Sequence, residues 1–144
     1  TNPDTCRIEL FWQAMPGEAL EDVDAQFQAW LDGLAADAPR VFRVKPRVEF
    51  PIRWLPGSAI DPGELLVREL SACAAEVLGE PPPVAGIEGP CDMYVFHQVA
   101  KMPAVLWGAR GGNTHNADEY LDLDSAALAA EALLVFVCRW CGVR

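Results

Sequence analysis

A glycine-rich stretch near the carboxyl end of the chain holds the residues best suited to chemistry. It spans residues 108–120, reads GARGGNTHNADEY, and contains His115, one of two histidines in the sequence. Its three glycines let the backbone approach a ligand or adopt positive φ. A neutral imidazole is a common metal ligand, and one of the two following carboxylates, Asp118 or Glu119, could fix its tautomer. The stretch is therefore either a ligand or metal site or a flexible surface turn.

The second histidine and the cysteines are weaker candidates. His97 lies in an apolar stretch and is predicted to be a packed helix histidine. One histidine cannot by itself hold zinc, which needs three or four protein ligands. The five cysteines are odd in number and irregularly spaced, which favours a reducing, cytoplasmic compartment over a disulfide framework. Cys138 and Cys141 form a lone C-x-x-C at a predicted helix end, so we expect buried, inert cysteines.

Composition limits the class of partner. The 144 residues include 21 acidic and 11 basic side chains, for a net charge of −10, and 51% of them are hydrophobic. A sizeable core is therefore possible, whereas the acidic balance argues against nucleic acid as a partner. No apolar run reaches the ~18–20 residues of a membrane span, so we expect no membrane partner. The chain opens on Thr1 rather than Met, which suggests a piece of a longer protein.

The first third of the chain, residues 1–55, reads as strand, helix, strand. Apolar and polar residues alternate over residues 7–14 and again over 40–54, which is typical of half-buried strands. Two prolines place the second strand at a sheet edge or at a bulge. Between the two strands, apolar residues recur at helical spacing over residues 18–36 beneath an acidic outer face.

The remainder, residues 56–144, has an α/β pattern with a mostly parallel sheet. One helix is predicted from an Asp61 N-cap to Leu78, with Gly79 ending it. The run Asp122-Leu-Asp124-Ser125 is predicted to cap a last helix that continues to about Arg139.

Between these helices the chain predicts a short helix within residues 91–100 and then a strand. The run PAVLW, residues 103–107, is fully apolar, as in a buried parallel strand. Open α/β sheets bind ligands beyond the carboxyl ends of their strands. The stretch after Trp107 is therefore where such a fold would place a site.

At this point three longer segments resemble a known family. The runs PPPVAGIEGPCDMYVF, PAVLWGA and GGNTHNADEYLDLDSAALAAEALLVFVC resemble the carboxyl-terminal part of the zinc-dependent aminoacylases and exopeptidases. That family includes acetylornithine deacetylase, succinyl-diaminopimelate desuccinylase and glutamate carboxypeptidases. Residues 2–17 resemble the second half of its inserted lid domain. The resemblance implies half of an α+β lid or dimerisation domain over 1–55. It also implies part of a three-layer catalytic domain with a mostly parallel sheet over 56–144.

The resemblance also implies a set of site residues. His115 matches the family's last metal ligand, on the second of two zinc ions, with cobalt as a possible replacement. The substrate-binding positions it implies are Gly89, Cys91, Asp92, Gly111, Gly112 and Asn113. Two departures stand out, since Cys91 replaces the family's threonine and Gln13 replaces its lid arginine.

The implied function is that of a zinc-dependent hydrolase acting on amide bonds of N-acyl amino acids or small peptides. The family's other metal ligands and its glutamate base precede the lid, and none is within these 144 residues. No catalytic residue is therefore assigned, and the isolated segment is expected to be inactive. The implied partners are the small-molecule substrate and a second copy of the chain, bound through the lid region. The alternative is a non-catalytic α/β interaction or dimerisation module built on the same scaffold.

Overall fold

The chain divides into two compact units, Thr1–Ser58 and Ala59–Arg144. A computed structural model describes residues 5–87 and 89–142 of the sequence. In chain order the elements are α1 (Leu20–Asp37), α2 (Leu65–Leu78), a π-helix (Val95–Val99), β1 (Gly111–Gly112), β2 (Tyr120–Leu121) and α3 (Leu123–Cys141). Within the described residues, none of the helices combines the length and apolar character required to cross a membrane.

The first unit is organised around α1, and the predicted helix over residues 18–36 is confirmed. Val23 and Leu31 are its buried residues, which lie on one side of the helix as the apolar spacing requires. Phe27 stacks on Trp30 with ring centroids 5.4 Å apart. Trp12, from the segment before the helix, meets Phe27 edge-on at 6.1 Å. Aromatic contacts therefore hold the preceding segment against α1.

The two strands predicted on either side of α1 are not formed in this unit. Between residues 5 and 58, strand-type pairing is limited to one parallel bridge between Pro16 and Gly57. Ile8 and Ile52, expected on buried strand faces, are 76% and 80% exposed. A strand needs neighbouring strands to satisfy its backbone and cover its apolar face, and the described residues supply none here.

The second unit is built on the packing of α2 against α3. The buried residues of α2 include Val67, Leu70 and Cys73, and those of α3 include the small residues Ala129 and Ala132. Small side chains on one helix let the two backbones approach closely. At the rim of this interface the Arg139 guanidinium donates to both oxygens of Glu76, at 2.5 and 2.6 Å.

The ends of the helices follow local signals in two cases and depart from them in a third. Gly79 ends α2 in the left-handed conformation at φ +83°, and Asp122 Oδ1 caps α3 by accepting from the Ser125 amide at 3.0 Å. Both confirm the sequence prediction. Asp61 is not the N-cap of α2, because its Oδ1 accepts from the Gly63 amide in a turn instead. The helix begins only after Glu64, whose side chain makes no cap.

The segment between α2 and α3 is only partly regular. The short helix predicted within residues 91–100 is present as a π-helix over Val95–Val99. Residues 103–107, predicted as a buried strand, have no strand partner among the described residues, and Leu106 is 57% exposed. The described residues thus form helices with one two-stranded antiparallel sheet, β1–β2. The mostly parallel, three-layer arrangement remains a prediction.

The prediction of buried cysteines is only partly right. Cys73 is fully buried, and Cys91 and Cys138 are partly buried, whereas Cys6 and Cys141 are exposed. All five are free thiols. Cys141 is exposed because it lies in the last turn of α3, where the helix ends at Gly142.

Candidate functional site

The glycine-rich stretch forms a β-hairpin that leads directly into α3. Gly111 pairs with Leu121, and Gly112 pairs with Tyr120. One residue further out, the Asp122 amide donates to the Arg110 carbonyl at 2.9 Å. The Arg110 amide donates to Ser125 Oγ at 2.9 Å. The hairpin is therefore fixed to the first turn of α3, and residues 113–119 form its tip.

Both glycines of β1 are required by close approaches from β2. A Cβ on residue 111 would lie 2.5 Å from the Tyr120 carbonyl oxygen, and a Cβ on residue 112 would lie 2.6 Å from the Tyr120 ring. Neither glycine has positive φ. These two glycines therefore leave room for the β2 backbone and the Tyr120 ring. The structure gives them a role in close packing, whereas the sequence suggested approach to a ligand or positive φ.

The tip of the hairpin contains three non-glycine residues in the left-handed region. Asn113, His115 and Asp118 have φ values of +56°, +62° and +59°. Hydrogen bonds inside the tip support this conformation, since the Asn116 amide donates to the Asn113 carbonyl at 2.8 Å. The Asn113 side chain also donates to the Asp118 carbonyl, at 3.2 Å. Left-handed non-glycine residues carry strain and concentrate at functional sites.

His115 is at this tip with its imidazole exposed to solvent. Within residues 5–87 and 89–142, the ring makes no hydrogen bond or ion pair. In particular, neither Asp118 nor Glu119 bonds to it, although the sequence suggested one of them as its orienting partner. Both ring nitrogens are therefore available to an external ligand.

The hairpin can contribute one ligand, His115, to a metal site. No group of three or more His, Cys, Asp or Glu side chains in the described parts of the chain is arranged to hold a metal ion. Zinc needs three or four protein ligands. The exposed His115 imidazole could fill one of the zinc ligand positions. The remaining ligands would have to come from outside the described residues.

The remaining substrate-binding positions predicted from the resemblance lie before the π-helix. Gly89 and Cys91 are partly buried, whereas Asp92 is exposed. The Asp92 carbonyl accepts from the Val95 amide at 2.9 Å and so begins the following helical turn. In the described residues, no hydrogen bond or ion pair connects residues 89–92 with the hairpin. Gly111, Gly112, Asn113 and His115 are brought together by the hairpin itself.

His97 has a structural environment, as the sequence predicted. Its Nε2 lies 2.9 Å from the Ala104 carbonyl oxygen and 3.0 Å from the Ala104 amide nitrogen. The ring therefore ties the π-helix to the extended segment that follows. A shallow depression of about 390 Å³, open to solvent, lies beside it, and Asp61, Glu64 and Lys101 contribute to its lining.

Two residues of the hairpin, Arg110 and Tyr120, were assigned no metal or substrate contact from the sequence, although the run Asp118-Glu119-Tyr120 matches an acidic-aromatic signature of the family that the sequence resembles. Arg110 precedes β1 and directs an 82% exposed side chain into solvent, and Tyr120 covers Gly112 from β2. A signal for Arg110 was available, since it is the only lysine or arginine in residues 108–122. Nothing in the sequence indicated the position of the Tyr120 ring, which depends on the hairpin register.

The Glu76–Arg139 ion pair at the helix interface changes the pKa of both of its members. The side-chain hydrogen bond from Arg139 lowers the pKa of Glu76, and the same bond raises the pKa of Arg139. Arg139 lies 16 residues beyond the start of α3, or ~24 Å at 1.5 Å per residue. This pair therefore stabilises the helices and plays no part in the candidate site.

Comparison with known proteins gives no match to a family model, to a curated protein or to a solved structure.

Proposed function

We propose that this chain is the carboxyl-terminal portion of a zinc-dependent hydrolase that cleaves amide bonds of N-acyl amino acids or small peptides. The hairpin tip is the observation that carries the proposal. It presents the exposed imidazole of His115 on a left-handed backbone, and it lies within one of the segments whose sequence resembles that enzyme family.

The residues of this chain have defined tasks in the proposed enzyme. His115 contributes one metal ligand, and the Gly111 and Gly112 backbone lines the substrate pocket. The left-handed residues Asn113, His115 and Asp118 form the tip that presents the imidazole to solvent. Zinc, when bound, polarises the amide carbonyl and lowers the pKa of water. The general base and the other ligands come from outside these residues, so the 144-residue chain is not active alone.

Further parts of the proposal concern partners and compartment. Five free thiols favour a reducing compartment, and we place the protein in the cytoplasm. The exposed apolar residues of the first unit, which include Ile8, Val44 and Ile52, suit self-association. We propose that this unit joins two copies of the chain.

The zinc assignment is tested by metal analysis of the complete polypeptide that contains this chain. We expect His115→Ala to lower the zinc content by about one ion per two-metal site, because one of its three or four ligands is lost. Amide hydrolysis should fall with it. The isolated 144-residue chain should release no amino acid from N-acetyl amino acids in the presence of zinc.

The chain's other histidine provides the matched control. His97→Gln keeps a hydrogen-bonding side chain beside Ala104 and should retain wild-type zinc content. Zinc and activity that survive His115→Ala would show that the ligand assignment is incorrect. Zinc-dependent hydrolysis by the 144-residue chain alone would contradict the proposal that the general base and the other metal ligands come from outside this chain.

A second candidate function is a non-catalytic interaction module. It is favoured by an apolar stripe on α3 that faces away from α2. The exposed residues of the stripe recur at spacings of three and four, and they are Leu123, Ala127, Ala130, Leu134 and Val137. A helix that is apolar on opposite faces is usually covered on both. For a non-catalytic module, His115→Ala leaves zinc content unchanged, so the same measurement separates the two candidates.

A further inference from the structure

The apolar stripe on the outer face of α3 has spacings that alternate between four and three residues. With Cys141, which is exposed in the last turn, the stripe runs the whole length of the helix, about 28 Å at 1.5 Å per residue. Its two leucines, Leu123 and Leu134, are 77% and 64% exposed. Apolar residues that recur every 3.5 positions on average are the a and d positions of a heptad, by which one helix packs along another. The stripe is therefore suited to a second helix.

The two flanks of the stripe differ in polarity. Leu133 and Trp140 widen the apolar surface on one flank, and both are substantially exposed. Asp124 and Glu131 lie on the other flank and are also exposed. A wide apolar surface with charges at one edge is typical of an interface, whose centre is apolar and whose rim stays in contact with water.

The order of side-chain sizes along the stripe makes it complementary to itself in the antiparallel direction. If two copies of α3 pair antiparallel about residue 132, each large side chain of one copy meets a smaller one of the other. The facing pairs are Leu134 with Ala130, Val137 with Ala127, and Leu123 with Cys141. Alternation of large and small side chains lets facing layers interdigitate and fill the space between two helices.

A parallel pairing fits less well, because each residue would then face its own copy. Ala127 and Ala130 would form two successive layers of small side chains, whereas Leu134 would meet a second leucine. The leucine layer would hold the helices apart and leave the alanine layers unfilled, and unfilled space lowers stability. The side-chain sizes therefore select the antiparallel direction, in which a twofold axis makes the two surfaces identical.

We propose that the apolar stripe of α3 binds a second copy of this chain, whose own α3 packs against it in the antiparallel direction. The surface is outside the hairpin tip and does not depend on the hydrolase function. A single pair of helices is smaller than a standard interface, which buries ~1,600 Å² in total. We therefore expect a reversible dimer whose population rises with protein concentration.

Disulfide crosslinking of the 144-residue chain tests both the partner and the direction. Leu123→Cys places a thiol opposite Cys141 of the second copy, and the two should join under mild oxidation with copper phenanthroline. Within one chain these positions are ~27 Å apart along the helix, far beyond the ~7 Å between Cα atoms that a disulfide allows. A linkage between position 123 and Cys141, found by peptide mapping, therefore requires a second copy.

Matched variants separate this pairing from random collision. Asp124→Cys adds a thiol on the same turn, roughly 100° around the helix, and should link to Cys141 at least about tenfold less. Added to Leu123→Cys, Leu134→Glu should lower the crosslink by about tenfold or more, because it places a charge in the apolar interface. Leu106→Glu alters a similarly exposed leucine outside α3 and should leave the crosslink unchanged.

Several results would overturn the proposal. Position 123 might link to Cys141 no more than position 124 does, or Leu134→Glu and Leu106→Glu might behave alike. A disulfide between the two Cys141 residues of wild-type chains would show a parallel arrangement instead. Sedimentation as a monomer at every concentration would mean that a different partner covers the stripe. The zinc measurement on His115→Ala is independent of all these outcomes, so failure of the dimer and failure of the hydrolase function are distinguishable.

Discussion

At the scale of single residues, the glycines of residues 108–112 have different structural roles. A Cβ on Gly111 would collide with backbone, because the Tyr120 carbonyl oxygen is fixed in the ladder. Gly108 has no heavy atom within 4 Å of the position of a Cβ, and its φ is not positive. Residue type alone does not separate these two glycines, whereas the structure assigns a packing role to only one of them.

Gly111→Ala is expected to open the hairpin. The added methyl group forces β1 and β2 apart at a cost of about 1–3 kcal/mol, as in other overpacked sites. Hydrogen exchange of the Asp122 amide reports on this opening, because that amide bonds to the Arg110 carbonyl across the hairpin. The exchange rate should rise in the variant.

Gly108→Ala is the matched control for this prediction. Its methyl group enters open space, so the stability should change by no more than about 0.5 kcal/mol. Equal exchange rates for the Asp122 amide in the two variants would show that the close approach at Gly111 is not required.

At the scale of elements, the pairing of α2 with α3 combines apolar burial with one ion pair. Val67, Leu70 and Cys73 supply the buried surface of α2. The Glu76–Arg139 pair closes the rim, and Arg139 also approaches the Cys73 sulfur at 3.7 Å. The pair is solvent-exposed, so the apolar contacts remain the main source of stability and the ion pair adds a dependence on pH.

The contribution of the Glu76–Arg139 pair to the stability of the fold is expected to disappear at low pH. Arg139 holds the pKa of Glu76 below its ordinary value of 4.5. A lowered folded pKa means that the pair stabilises the protein above the unfolded pKa and ceases to do so as pH falls through the folded one. Chemical unfolding of the wild type and of Glu76→Gln at pH 7 and pH 3 measures this. The variant should be less stable at pH 7, and the difference should shrink towards zero at pH 3.

Glu131→Gln controls for the general loss of a carboxylate from these helices. Glu131 is an exposed residue of α3, and no ion pair involves it in the described part of the chain. This variant should follow the wild-type pH dependence. If the difference in stability between wild type and Glu76→Gln is the same at both pH values, the ion pair is not the cause of that difference.

At the scale of the whole molecule, each unit has its own buried residues. Those of the second unit are in the α2–α3 interface, where Cys73, Ala74 and Ala132 have no exposed surface. Both helices belong to residues 59–144. The interface should therefore form without the first 58 residues.

Thiol labelling is expected to show that this interface is independent. In the intact chain Cys73 should react roughly a hundredfold more slowly than exposed Cys141, because labelling requires the helices to separate at a cost of about 3 kcal/mol. A chain of residues 59–144 should show the same ratio. Peptide mapping by mass spectrometry after timed alkylation gives both rates from one sample.

Cys141 acts as the internal reference, since it is exposed in the last turn of α3. If deletion of residues 1–58 brings Cys73 to the labelling rate of Cys141, the second unit depends on the first for its core.

Sequence reasoning was reliable for features set by neighbouring residues. It located the three α-helices, the short helix within residues 91–100, the end of α2 at Gly79 and the capping run before α3. Capping and periodic burial depend on residues within a turn or two. The same reasoning misplaced the start of α2, since the Asp61 carboxylate bonds to the Gly63 amide in a local turn instead. For residues 7–14 and 40–54 it predicted strands, whose formation depends on partner strands that local alternation does not specify.

The same division applies to the candidate site. The amino-acid sequence by itself determined that a histidine and two carboxylates follow a glycine-rich run just before a capped helix. Only the tertiary structure decided that Tyr120 covers Gly112, that the Arg110 backbone is bonded to Ser125, and that the His115 ring is exposed. The physical reason is that these contacts depend on hairpin register and helix docking. Both arise from pairings between residues eight or more positions apart, which local preference does not encode.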